Sequence, residues 1–239
     1  MNANYSPELD NIKIFFSPAK SIRRMENIIS RDGQTAAIVE DVFKPVREAW
    51  AAAVFLLGYS QLTNKQYWLR ENPQKNEAPD IFAISPVAPL QNEMGVKREI
   101  LEIEVCDYGE HSGVGVVEHI KAKLKGKAYN KFTFLLCYVH KNGSIRLIDI
   151  INGLKGIKTS VREIWLLFHP GGGVGGGFVI TRVYLNDPSV GIPLRYEGNY
   201  SSLSKIPQQE MIQTFRGSGR RVEFTHLGMA YVPLPRLNK

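Results

Sequence analysis

Two hydrophobic periods alternate along the chain, and the places where one gives way to the other mark its elements. Val46, Trp50, Ala53, Val54 and Leu57 recur at helical spacing, so residues 45–58 read as a helix with one apolar stripe. Pro45 separates it from a helix over 35–44, and Gly58 is a reasonable stop. A shorter helix is expected from Ser21 to Ile29. The period drops to two at Glu99–Cys106, where Ile100, Glu102, Glu104 and Cys106 share one face and Leu101, Ile103 and Val105 the other. Gln66–Arg70 and Asp80–Ser85 read as short strands, the second introduced by Pro79. The helical period returns over Gly113–Lys127, with Ser112 as a cap and Val116, Val117, Ile120 and Leu124 facing inward.

Phe132–Val139 is aromatic, aliphatic and almost uncharged, the composition of a buried strand. Lys141-Asn142-Gly143-Ser144 predicts a hairpin leading into a strand over Ile145–Ile151. Val161–Phe168 and Phe178–Leu185 are two more strands, joined through the glycine-rich run Gly171–Gly177. That run lacks the Gly-Lys-Ser/Thr ending of a phosphate loop and reads as a flexible connection. Gln208–Phe215 is expected to be helical. The order of elements predicts an α/β fold with a mixed sheet, in three stretches: a segment 1–34, a core 35–152 and a β-rich C-terminal extension 153–239 packed on that core.

Composition narrows the class. At 239 residues and 44% hydrophobic, the chain buries a core without staples. Two cysteines exclude a disulfide scaffold, no apolar run reaches membrane-spanning length, and the first residues lack a signal-peptide pattern, so a cytoplasmic protein is expected. The formal charge of +7 is unevenly divided. Residues 1–110 hold 12 Lys+Arg and 16 Asp+Glu, a net of −4; residues 111–239 hold 18 and 7, a net of +11. A basic half suits a polyanionic partner, and equally a solvated basic face.

The acidic half places its carboxylates in a pattern. Asp80 begins one strand, and Glu102 and Glu104 share a face of the next. If those strands are neighbours, three carboxylates converge, and converging carboxylates repel unless a cation joins them. Oxygen ligands on rigid strands suit Mg²⁺ or Mn²⁺. The plainer alternative is an outward acidic face paired with lysines of the following helix.

Pro79-Asp80, followed after 21 residues by Glu102-Ile103-Glu104, resembles the PD-(D/E)XK nuclease superfamily, also called restriction-endonuclease-like. The resemblance covers residues about 36–140 and includes the helices before and after the motif. It implies a restriction-endonuclease-like mixed β-sheet flanked by helices, and a Mg²⁺-dependent (or Mn²⁺-dependent) endodeoxyribonuclease. It implies Asp80 and Glu102 as metal ligands and Glu104 at the position where the family usually carries lysine. Lys121 or Lys123 from the next helix is then the candidate replacement, and Glu48, with Glu40 second, the candidate helix carboxylate. Lys121, Lys123 and Lys125, with Arg216, Arg220 and Arg221 around Gly217-Ser218-Gly219, are the candidate contacts to DNA or another nucleic acid. Cleavage of both strands implies a homodimer or a partner protein. The missing motif lysine keeps a second reading open, a non-catalytic nucleic-acid-binding or assembly subunit on the same fold. A third is an α/β protein whose basic half binds another protein.

Other chemistry is weaker. Cys106 and Cys137 read as buried small hydrophobes, the five histidines are dispersed without zinc spacing, and no Gly-x-Ser-x-Gly occurs. His111 is a loop residue close after the acidic strand.

Overall fold

A computed structural model describes residues 12–73, 78–87, 97–109, 112–140, 144–169, 176–186, 194–199, 211–214, 220–225 and 228–233. Its centre is a seven-stranded mixed sheet in the order β2 (Trp68–Glu71), β3 (Ile81–Val87), β4 (Lys97–Tyr108), β5 (Thr133–Val139), β6 (Glu163–Phe168), β7 (Gly177–Leu185), β8 (Arg195–Asn199). The outer pairs are antiparallel, whereas β4, β5 and β6 run parallel. Parallel neighbours need crossovers, and two helices supply them: α4 (Val116–Leu124) between β4 and β5, and α5 (Leu147–Leu154) between β5 and β6. Strands β6 to β8 belong to this same sheet, so the stretch from residue 163 to 199 widens it. Elsewhere β1 (Ile12–Phe15) pairs with β9 (Met211–Thr214), and β10 (Arg220–Thr225) with β11 (Gly228–Pro233).

The two sheet faces carry separate cores. On one, α3 (Lys44–Thr63) lies against Leu101, Ile103, Val105, Phe134, Leu136 and Trp165. Helix α1 (Pro18–Asp32) covers α3 from outside, with Ile22 and Met25 buried, so α3 is enclosed nearly all round. Its run Ala51-Ala52-Ala53 is fully buried and lets the backbones close up. On the other face, Ile120 and Leu124 of α4 and Ile150 and Leu154 of α5 cover Cys106, Leu135, Cys137 and Leu166. Ser17 caps α1, its hydroxyl accepting from the Ala19 amide at 3.2 Å, and Pro18 takes the first turn. A short helix, α2 (Gln34–Val39), and one 3₁₀ turn lead from α1 into α3.

Three expectations change. Residues 147–154 form a helix, not a hairpin strand. Leu147, Ile150, Ile151 and Leu154 recur at helical spacing, and the parallel β5–β6 pair requires a crossover that the Asn-Gly signal obscures. Met211–Thr214, expected as helix, is a strand held by pairing with β1, so tertiary context overrides local propensity. Gly58 does not end its helix, which runs on to Thr63 and stops at Asn64 in the left-handed conformation (φ 52°). A Cβ on Gly58 would stand 2.7 Å from Ile180 and 3.0 Å from Tyr196, so that glycine admits β7 and β8 close to α3. Among the described residues no helix is long and apolar enough to cross a membrane.

Candidate functional site

The site grows from the start of β3. The antiparallel register sets Ile81 opposite Ile103 and Phe82 opposite Glu102, so Asp80, one residue before the strand, falls beside Glu104. Asn72 fixes this corner: its side chain donates to the Pro79 carbonyl at 2.8 Å and its amide to the Asp80 carbonyl at 2.8 Å. The Asp80 carboxylate then extends the ladder by one rung, Oδ2 accepting from the Val105 amide at 2.7 Å. Its other oxygen is not used in that bond.

Glu104 lies on the face covered by α4 and is 1% exposed. A carboxylate so buried requires compensation, and two lysines supply it. Lys123 Nζ and Lys127 Nζ each stand 2.8 Å from the same oxygen, Oε1. Oε2 is buried with no hydrogen-bond partner. Lys123 comes from the last turn of α4, and Lys127 follows the turn at Gly126 (φ 74°) that ends it. The Tyr129 hydroxyl closes this corner by donating to the Lys123 carbonyl at 3.2 Å. Glu48 on α3 completes the cluster, with its side chain 16% exposed and Lys44 3.9 Å away.

Electrostatics separate the three carboxyls. Burial, helped by the charge of Asp80, pushes Glu48 up to about 7. Burial and the charge of Glu104 also raise Asp80, against the Val105 amide bond and the two lysines. Burial alone would raise Glu104, but the bonds and charges of Lys123 and Lys127 outweigh it and hold that carboxyl below the ordinary carboxylate range. Burial lowers Lys123 and its bond to Glu104 raises it; the net direction is up. Of the three carboxyls, Glu104 is thus the one held ionised by its neighbours, and Glu48 is the one brought to the neutral range.

Asp80, Glu104, Glu48 and Lys123 are brought together. Glu102 lies on the same face of β4 but is engaged elsewhere, accepting from Thr133 Oγ1 at 2.9 Å and Asn130 Nδ2 at 3.2 Å. The carboxylate beside Asp80 is therefore Glu104, two residues further on. Lys121 is exposed on α4 and Lys125 at the cap that follows it, and the lysine that reaches the carboxylates from that helix is Lys123. Glu40 caps α2, where its carbonyl accepts from Arg47 at 3.4 Å. Arg220 and Arg221 lie on β10, opposite Pro233 and Val232. Arg216 and His111 lie outside the described residues. Cys106 and Cys137 are buried and face each other across β4 and β5. Lys127 was not singled out from the sequence; the signal was its place one turn beyond Lys123, just after the helix.

Among the described residues no three His, Cys, Asp or Glu side chains stand together as a ready-made metal cage. The donors present still fit a hard cation of one kind. Mg²⁺ is usually held by one or two carboxylates, with water and substrate phosphates completing the shell. Glu104 offers a buried oxygen without a partner, and Asp80 offers the oxygen not bound to Val105. No family model, no curated protein and no solved structure matches this chain.

Proposed function

We propose that this protein is a Mg²⁺-dependent or Mn²⁺-dependent nuclease of the restriction-endonuclease-like class, hydrolysing DNA phosphodiester bonds at Asp80 and Glu104. The observation that carries the reading is the pairing of Asp80 with Glu104 across the β3–β4 register, with Glu104 holding two lysines on one oxygen and leaving its other, buried oxygen without a partner. Two repelling carboxylates, one half-buried and one buried, are a poor way to join neighbouring strands and a good way to hold a cation.

Each side chain has a part. Asp80 and Glu104 would hold the cation, which supplies Lewis-acid activation of water and neutralises phosphoryl charge. Lys123 keeps Glu104 ionised and oriented despite its burial. Glu48, poised near neutral pH, can take up or release a proton beside the attacking water. The exposed Lys121, on the same helix as Lys123, and Lys125, at its C-terminal cap, would hold the phosphate backbone near the carboxylates. Most of the catalytic effect would come from positioning and charge, as in other phosphoryl transfers.

The reading is tested by incubating supercoiled plasmid and single-stranded DNA with Mg²⁺ or Mn²⁺. Cleavage that stops on chelation is expected. One observation favours a non-catalytic nucleic-acid-binding subunit instead: two ammonium groups already neutralise Glu104. That protein would bind DNA with a steep salt dependence and never cut it.

A further inference from the structure

The two lysines on Glu104 are not equivalent, and the difference suggests a division of roles. Both ammonium groups stand 2.8 Å from Oε1, which leaves Oε2 without a partner. Lys123 is 23% exposed and is fixed on α4, the helix that seals this face of the sheet. Lys127 is 45% exposed and stands beyond the end of that helix. Its ammonium is also 6.0 Å from the Tyr129 ring, a second favourable place for a cation at the edge of the site.

Without a divalent cation, the two lysines are the positive charges that offset the buried Glu104. A divalent cation on Asp80 and Glu104 adds two positive charges to the cluster, and ammonium groups a few ångströms away are strongly repelled. The more exposed lysine loses less when it moves into water, so Lys127 is the one released. Once released, it sits beside the cation at the mouth of the site, where the phosphate of a nucleic acid would meet it.

We propose that Lys127 is a coupling residue: it neutralises Glu104 in the cation-free protein, and cation binding transfers it to the nucleic-acid backbone. This rests on the reading of Asp80 and Glu104 as cation ligands. It makes cation and DNA binding mutually reinforcing, since each favours the state in which Lys127 has left Glu104.

Two measurements on Lys127→Ala test it. In calorimetric titration with Mn²⁺ and no DNA, the variant should bind on the order of tenfold more tightly than wild type, because a competing ammonium is gone. Lys127→Arg, which keeps the charge, should return affinity toward the wild-type value. In binding to a duplex oligonucleotide, wild type and Lys127→Ala should be equal in chelator. They should separate when Ca²⁺, which takes the same oxygen ligands, is added, with wild type tighter by roughly fivefold to tenfold. If Mn²⁺ binds wild type and Lys127→Ala alike, or if the variant binds DNA more weakly in chelator by the same factor as in Ca²⁺, the coupling role is wrong while the cation site stands. If Mn²⁺ does not bind wild type at all, the cation site itself is wrong and the coupling falls with it.

Discussion

Strand β4 carries a charged cluster on each of its faces, three residues apart, and the two are built on opposite plans. On the α3 face Asp107 has a neighbour at each oxygen: Arg47 Nε 2.7 Å from Oδ2 and His140 Nε2 2.7 Å from Oδ1. The His140 contact is close but brings no aligned donor to Oδ1, whereas Arg47 donates a full hydrogen bond to Oδ2. Arg47 also donates to the carbonyls of Ala37 and Glu40, tying α2 and α3 to the sheet. Gly109 admits the His140 ring, since a Cβ there would stand 2.1 Å from it. On the α4 face both cations of Glu104 crowd one oxygen and the other has no partner. Each leaves one oxygen without an aligned donor. The first sets a neighbour at both oxygens and fastens elements together, whereas the second crowds both neighbours onto one oxygen and leaves the other clear for a ligand.

The pH dependences of the two regions run in opposite directions. Burial would raise Asp107, but His140 and Arg47 outweigh it and hold it below the ordinary value. Its contribution to stability is therefore present at neutral pH and is lost as pH falls below its unfolded value of 3.8. Glu48 is raised from 4.5 to about 7, so the folded protein binds the extra proton between those values. Its ionisation costs stability as pH rises from 4.5 to about 7, and the full penalty is present above that.

The comparison can be broken at several points. Arg47→Ala removes the hub of the fastening cluster and leaves Asp107 half-buried without its main partner. A loss of about 3–5 kcal/mol is expected in urea unfolding at pH 7, and a loss under 1 kcal/mol would remove its structural role. Glu48→Gln should act the other way, raising stability at pH 8 by up to about 3 kcal/mol and changing it little at pH 4. Stabilities that move in parallel at both pH values would mean that Glu48 is not held near neutral. Gly109→Ala must push the His140 ring aside and should cost about 1–3 kcal/mol. Equal stability there would show that the ring packs loosely. Smallest of all, Lys121→Ala should leave folding untouched and reduce the salt slope of DNA binding by about 0.9. An unchanged slope would place the DNA away from the exposed face of α4.

The sequence carried these two clusters unequally. The alternation over Glu99–Cys106 was legible and fixed which residues share the face with Glu104. It also put Asp107 one step beyond the run, where nothing marked it. Which glutamate meets Asp80 was not legible, because spacing along the chain does not give the register of an antiparallel pair. That register depends on how the loop between β3 and β4 closes. Arg47 looked like an ordinary charge on an apolar helix, and its burial between Asp107 of the sheet and the carbonyls of Ala37 and Glu40 is a tertiary fact. Lys123 and Lys127 were visible only as part of a basic helix, since the length of a lysine side chain lets it reach a strand from either side of its Cα. The strand taken for Ile145–Ile151 shows the same limit: a strong local turn signal hid a crossover helix required by the parallel pair.

The central claim is that the Asp80–Glu104 pair does chemistry and the Arg47–Asp107 cluster holds the fold. The most direct measurement compares Asp80→Asn with Asp107→Asn for Mg²⁺-stimulated DNA cleavage and for stability. Asp80→Asn should lose at least about a thousandfold in cleavage, a difference of about 4 kcal/mol in transition-state stabilisation, while staying folded and still binding DNA. Asp107→Asn should lose stability and keep wild-type cleavage per folded molecule. Wild-type cleavage by a folded Asp80→Asn would contradict the account.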